Sequence, residues 1–204
     1  MITQLGLNIN DYLSSDRFIS YSHQLRLTTI YAKPGDKVLE IGIFNSILAT
    51  LLKTHGYKIT TADIDTNLNP DLILDINSDF ILDDFDVITA FQVLEHMEFS
   101  QFPIILRNLS LNSKYIIISL PYNTLGLSVK IKFTFLERAR HLSLKIPKFW
   151  SNIPISNQHY WEAGLKGYSR KTIRDNINSA GLRIESEFID PMNPYHWFLV
   201  LRKL

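Results

Sequence analysis

The spacing of apolar positions along this chain changes several times, and each change marks an element. Val38 to Ile41 is a short apolar-rich run that reads as a buried parallel strand. Gly42 breaks the run where a strand-to-helix turn is needed. Ile47, Leu48, Leu51 and Leu52 then recur at helical spacing, and Gly56 stands where a helix C-cap belongs. Lys58 to Ala62 reads as a second strand, ended by Asp63. Strand, glycine turn, helix, strand and acid form a βαβ unit, which binds a nucleoside cofactor at the carboxyl ends of its strands.

The flanking pattern extends this unit in both directions. Residues 10 to 32 predict a helical lead-in with Tyr12, Phe18, Ile19, Leu25, Leu27 and Ile30 as its apolar members and Ser14, Ser15 or Asp16 as cap. Asp63 and Asp75 are separated by turn formers and Pro70, so a loop and a short strand at 72–74 are expected there, with no regular helix. That leaves one edge of the site open. A strand at 87–91 follows, and then a helix after Ser100 that carries Pro103 and buries Ile104, Ile105 and Leu109. The next strand, 115–120, is closed by Pro121. Ser169 caps a helix through Ala180, stopped by Gly181, and Arg170 and Lys171 in its first turn call for an anionic neighbour or plain exposure. Strands at 182–189 and 195–202 end the chain.

Composition removes several classes. The 204 residues suffice for one α/β domain, 1–204, and are short for two. The formal net charge of +1 gives no global field that calls for nucleic acid or acidic lipid. There is no cysteine, so a disulfide scaffold and a thiolate zinc site are excluded. The N-terminus lacks the pattern of a signal peptide, and no apolar run approaches the ~20 residues of a membrane span. A soluble cytoplasmic protein is expected, with its oligomeric state open.

The glycine turn narrows the cofactor. A dinucleotide fingerprint has Gly-x-Gly-x-x-Gly, whereas Gly42-Ile-Phe-Asn-Ser-Ile has one glycine. The run Val-Leu-Glu-Ile-Gly, 38–42, resembles motif I of the class I S-adenosylmethionine (SAM) dependent methyltransferases, with Phe44 and Ser46 where that family usually has glycine. Phe85-Asp-Val followed by Gln92-Val-Leu-Glu-His96 resembles the fourth motif of its small-molecule subgroup, including the quinone-biosynthesis methyltransferases. The terminal strand pair resembles the antiparallel end of the same fold. The resemblance therefore implies an α/β, Rossmann-like, doubly wound sheet, mostly parallel, with an antiparallel C-terminal strand.

It also implies roles for residues. Glu40 would hold the methionine amino group, and the backbone at Gly42 and Ile43 would pass the methionine and ribose. Asp63 would accept the ribose hydroxyls, Ile64 would pack on adenine, Asp75 and Ile76 would meet the adenine edge, and Phe91 and Gln92 would face the sulfonium. In the family a lead-in helix covers the cofactor, which could bring Arg17, Tyr21 and His23 to the reaction centre. Methyl transfer from a sulfonium depends mostly on positioning, so the family has no universal catalytic residue. His96 and His159 are the candidate bases where the acceptor must lose a proton.

Gln92-x-x-Glu95-His96 with His159-Tyr-Trp-Glu162 is also similar to the metal-assisted RNA 3′-terminal methyltransferases, which have Glu in the first position. Gln92 is a poor ligand for Mg²⁺ or Mn²⁺, so no metal is expected.

Residues 122–158 exceed what a minimal fold needs. From Lys130 to Lys148 six basic residues face one acid, Glu137, for a net +5, interleaved with Phe133, Phe135, Phe149 and Trp150. The expectation is an inserted, partly helical lid that selects the acceptor. The alternatives are a peripheral packing element whose basic face is solvated and an amphipathic basic helix giving weak membrane contact through 130–150. The functional expectation is transfer from SAM to an O, N or C atom of a small or medium-sized acceptor. Its rivals are a non-catalytic SAM-binding protein, motivated by Phe44 and Ser46, and an RNA or membrane-surface methyltransferase guided by the basic insert.

Overall fold

In the computed structural model, which describes residues 14–78, 80–135 and 140–204, the apolar runs lie side by side in one seven-stranded sheet. Its strands are β1 (Lys37–Ile41), β2 (Lys58–Asp63), β3 (Leu72–Ile73), β4 (Phe85–Phe91), β5 (Ser113–Pro121), β8 (Leu182–Ile189) and β9 (His196–Lys203). They follow the order β3-β2-β1-β4-β5-β9-β8, and β9 runs antiparallel to both its neighbours while β1 to β5 pair parallel. The chain steps from β1 outward to β2 and β3, then returns to lay β4 on the other side of β1. That reversal opens a crevice beyond the carboxyl ends of β1 and β4.

Helices cover both faces, so successive residues of the central strands feed two cores. Leu39, Ile41, Ile88, Ile116 and Ile118 pack with α3 (Phe102–Leu111) and α4 (Arg170–Ser179). Val38, Val87, Ile117 and Val200 pack with α1 (Ser15–Tyr31) and α2 (Ile47–Thr54). Each such aliphatic side chain contributes roughly 1.5–3 kcal/mol by leaving water. Ser169 caps α4, its Oγ accepting from the Thr172 amide at 3.0 Å. The anionic neighbour of that helix is Glu187, paired with Arg170 at 2.9 Å and with Arg174.

Several expectations need correction. Phe18 and Ile30 are exposed on α1, which buries Ser20, Gln24, Leu27 and Thr28 instead. Its polar inner face is satisfied internally: Gln24 donates to Ser20 Oγ at 3.2 Å and Thr28 donates to the Gln24 carbonyl at 2.8 Å. Tyr12 lies outside the described residues. Ile104 is exposed on α3, and Phe102 and Leu106 take the core positions.

Between β2 and β3 there is a single 3₁₀ turn, Thr66–Leu68, opened by Asp65 Oδ1 accepting from the Asn67 amide at 2.9 Å. This matches the expected loop, and Ile64 beside it is left 65% exposed.

The insert is not helical in its described residues. It is an antiparallel hairpin of β6 (Thr124–Ile131) and β7 (Arg140–Pro147), forming a two-stranded sheet of its own. Strict alternation in Leu-Gly-Leu-Ser-Val-Lys-Ile, 125–131, and Leu-Ser-Leu-Lys-Ile, 142–146, is the period-2 signal of strands. Of the described residues of the insert, only Ile155, Ser156 and Gln158 line the crevice, and His159 follows directly after them.

Candidate active site

The turn after β1 is built on a conflict between sequence and backbone. Gly42 has φ +79°, and Val93 occupies the place where a Cβ would project, so this position requires glycine. Phe44 and Ser46 also take positive φ, 26° and 53°. Glycine enters this region freely, whereas an L-residue there costs roughly 1–2 kcal/mol. The chain therefore keeps a glycine-type backbone course without the glycines. Asp63 fastens it: Oδ2 accepts from the Ile43 amide at 2.9 Å and Oδ1 from the Asp65 amide at 2.9 Å. Each carboxylate oxygen retains capacity for a second donor.

Glu40, on β1 beneath this turn, is 6% exposed, and its Oε2 has no partner among the described residues. Burial pushes its carboxyl up to about 8, against the opposing pull of the Ala49 amide and Lys53. A buried acid held neutral and half-satisfied is suited to receive a cation.

Glu40, Gly42, Ile43, Asp63, Ile64, Asp75, Ile76, Phe91, Gln92, His96 and His159 all line one cavity of about 980 Å³ in the crevice. Arg17 and Tyr21 reach it from α1. His23 does not; its Nε2 is bonded to Asp190 Oδ2 at 2.7 Å, away from this cavity. Sequence reasoning missed Tyr195 and His196, which enter from the start of β9 after a proline-rich link with no motif spacing. Burial, with Arg17 and His23, drives the His196 imidazole down to about 3, so it is a neutral wall of the site.

The far wall is set by Trp161. It is fully buried, edge-on to Phe99 and Phe102 at 4.9 and 5.2 Å, and its indole N–H donates to the Met97 carbonyl at 3.1 Å. The Tyr160 amide donates to the Glu95 carbonyl at 2.9 Å. The loop carrying His159 is thereby pinned against the 3₁₀ turn Leu94–His96. His159 Nδ1 donates to Glu162 Oε1 at 2.7 Å, and Glu162 also accepts from the Ile155 amide at 2.9 Å and from Asn123 at 2.8 Å. A carboxylate only accepts, so Nδ1 carries the proton and Nε2 presents a lone pair. His96 Nδ1 donates to the Gln158 carbonyl at 3.2 Å, and burial together with His159 lowers its pKa.

Glu95 is fully buried, with Oε1 4.0 Å from His159 Nε2 and both oxygens without hydrogen-bond partners among the described residues. Burial, reinforced by Glu162 and opposed by a backbone amide, pushes its carboxyl up to about 8.

Two chemistries are open to this corner. One is proton abstraction by an imidazole whose far nitrogen is held by a carboxylate. The other is cation binding, because Glu95, His96 and His159 each offer a ligand atom within 4.8 Å of the others. Two imidazoles and one carboxylate suit a borderline metal such as Zn²⁺ better than Mg²⁺. Gln92 instead donates its amide to Ser119 Oγ at 3.3 Å.

Comparison with known proteins adds a family-level finding. A family model described as a methyltransferase domain matches residues 15–187. Magnesium protoporphyrin IX methyltransferase from Synechocystis PCC 6803, solved with S-adenosylhomocysteine (SAH), is similar with a TM-score of 0.62 at 13% identity, covering 93% of this chain and 84% of that one. The 1,6-didemethyltoxoflavin-N1-methyltransferase of Burkholderia thailandensis, solved with its substrate and SAH, gives 0.60 at 11% identity over 95% and 86%. A SAM-dependent methyltransferase from Clostridium acetobutylicum ATCC 824 gives 0.59 at 12% identity over 90% of each chain. At these identities the likeness is one of fold. No curated protein matches by sequence.

Proposed function

The chain belongs to the methyltransferase-domain family, and on that premise we propose that it moves a methyl group from SAM to an O, N or C atom of a small-molecule acceptor. The observation that carries this reading is one cavity of about 980 Å³ that is lined both by Glu40 and Asp63 and by His96 and His159. That volume admits a cofactor and a small acceptor side by side. Bound SAM supplies a methyl group already activated by its sulfonium.

The chain's own residues do the rest. Glu40 receives the methionine ammonium, for which its unpartnered oxygen and raised pKa are suited. Asp63 uses its remaining lone pairs on the ribose hydroxyls. The backbone at Gly42 and Ile43 passes the methionine and ribose, Ile64, Asp75 and Ile76 flank the adenine, and Phe91 and Gln92 border the sulfonium. Holding donor and acceptor in line supplies about 7–11 kcal/mol of the barrier. His159, oriented by Glu162, takes the acceptor's proton at Nε2, with His96 beside it as the second acceptor of protons. A correctly placed base adds roughly 10²–10⁴-fold.

An acceptor of quinone size is the finer form of this reading, supported by the Gln92-Val-Leu-Glu-His96 motif. A cytoplasmic location belongs to the same proposal. No helix among the described residues is long and apolar enough to cross a membrane. The test is an acceptor screen with methyl-labelled SAM. Label appearing in a small molecule is the expected result; SAM binding with no transfer to any acceptor class would point to the non-catalytic alternative.

A further inference from the structure

The hairpin β6–β7 inverts the usual placement of polar and apolar faces. Its register sets Leu125, Leu127 and Val129 opposite Ile146, Leu144 and Leu142 on one face, and Gly126 and Ser128 opposite Lys145 and Ser143 on the other. An amphipathic strand pair ordinarily turns its apolar face to the protein. Here Leu127, Leu142 and Leu144 are 68%, 74% and 68% exposed. Ser128, Ser143 and Lys145 are half-buried, the two hydroxyls sharing a hydrogen bond of 2.8 Å and Lys145 feeling the charges of Asp190 and Arg170. The polar side faces the body and the apolar side faces out.

Exposed aromatics stand at both ends of the hairpin. Phe133 and Phe135 stack at 5.4 Å beyond β6, and Phe149 and Trp150 follow β7. Lys132 and Lys148 lie just beyond the strand ends, and the segment from Lys130 to Lys148 carries a net charge of +5 with Glu137 as its one acid. No described residue of either strand lines the cavity, so transfer chemistry does not account for this surface.

We propose that the outer face of the β6–β7 hairpin docks on a lipid bilayer rich in anionic headgroups. Leucines and phenylalanines enter the interface, Trp150 suits its amphipathic zone, and the lysines meet the headgroups. Charge decides between a bilayer and a second copy of the chain: a two-fold contact through this face would set one segment of net charge +5 against another, whereas an anionic surface complements it.

The test uses the full chain in sedimentation with phosphatidylcholine vesicles, alone or with one third phosphatidylglycerol. Binding is expected to the anionic vesicles only and to weaken as salt is raised. Lys132→Gln and Lys148→Gln should each weaken it roughly fivefold, and Leu127→Ser with Leu144→Ser on the order of tenfold. Far-UV circular dichroism and the melting temperature check that each variant is folded. The proposal is overturned if the wild type ignores anionic vesicles, or if the folded leucine double variant binds them as the wild type does. A wild-type dimer that the leucine variant converts to monomer, without vesicle binding, would assign the face to self-association instead.

Discussion

Replacing Glu40 by Gln should make the empty protein more stable and the cofactor site weaker. The carboxyl is raised from its ordinary 4.5 to about 8 by burial. A group whose pKa is raised on folding contributes fully below its unfolded value, and that contribution is lost as pH climbs through the folded one. Each pH unit between the two values costs about 1.4 kcal/mol, so the empty fold has lost about 3 kcal/mol at pH 7 and about 5 kcal/mol above pH 8. Gln cannot ionise and keeps an acceptor for the Ala49 amide. In urea unfolding the two proteins should coincide near pH 4.5, with Glu40→Gln gaining on the wild type as pH rises. Glu95 follows the same slope, so the difference between the curves carries the assignment. A cation seated on Glu40 should expel its proton, and calorimetry of SAM binding at pH 7 in buffers of different ionisation enthalpy should detect roughly one proton released. That release should vanish in Glu40→Gln, with affinity roughly tenfold lower. A variant equally destabilised at every pH would refute the reasoning, because Glu40 would then be an ionised structural partner.

Other perturbations separate the remaining parts of the account. Ser46→Gly should stabilise the protein by about 1 kcal/mol by relieving a left-handed serine; a lower urea midpoint would contradict the strain argument. His159→Asn should lower kcat by roughly 10²–10⁴-fold while leaving SAH affinity unchanged, and Glu162→Gln should follow in the same direction; a kcat within a factor of two would remove the base role. Transfer should persist after exhaustive chelation. Loss that Zn²⁺ or Mn²⁺ restores would make Glu95, His96 and His159 metal ligands.

The parts of the fold that were legible in sequence are those whose signals are local. Val38 to Asp63 carries strand, turn, helix and strand signals in order, and the missing helix before β3 follows from spacing and Pro70. The candidate site residues on β1, β2 and β4 were legible through the resemblance of their motifs, and all of them line the crevice at the strand ends. What was hidden depends on long-range packing. The buried face of α1 is polar, so periodicity selected Phe18 and Ile30, which are exposed. His23 is drawn off by Asp190, a residue 167 positions away. Tyr195 and His196 reach the cavity only because β9 inserts antiparallel beside β5. Phe44 and Ser46 looked like damage to the turn. Both hold positive φ, so the backbone of the turn keeps the course that glycines would give it.

The most direct test of the central claim is calorimetric titration of SAH into the wild type and Asp63→Ala. Asp63 holds the Ile43 amide and, in the proposed function, offers its remaining lone pairs to the ribose, where each hydrogen bond to a charged group is worth about 1.5–3 kcal/mol before water compensates. The account expects saturable binding by the wild type and at least roughly tenfold weaker binding by the folded variant. Wild-type affinity in Asp63→Ala, or no binding by the wild type, would contradict it.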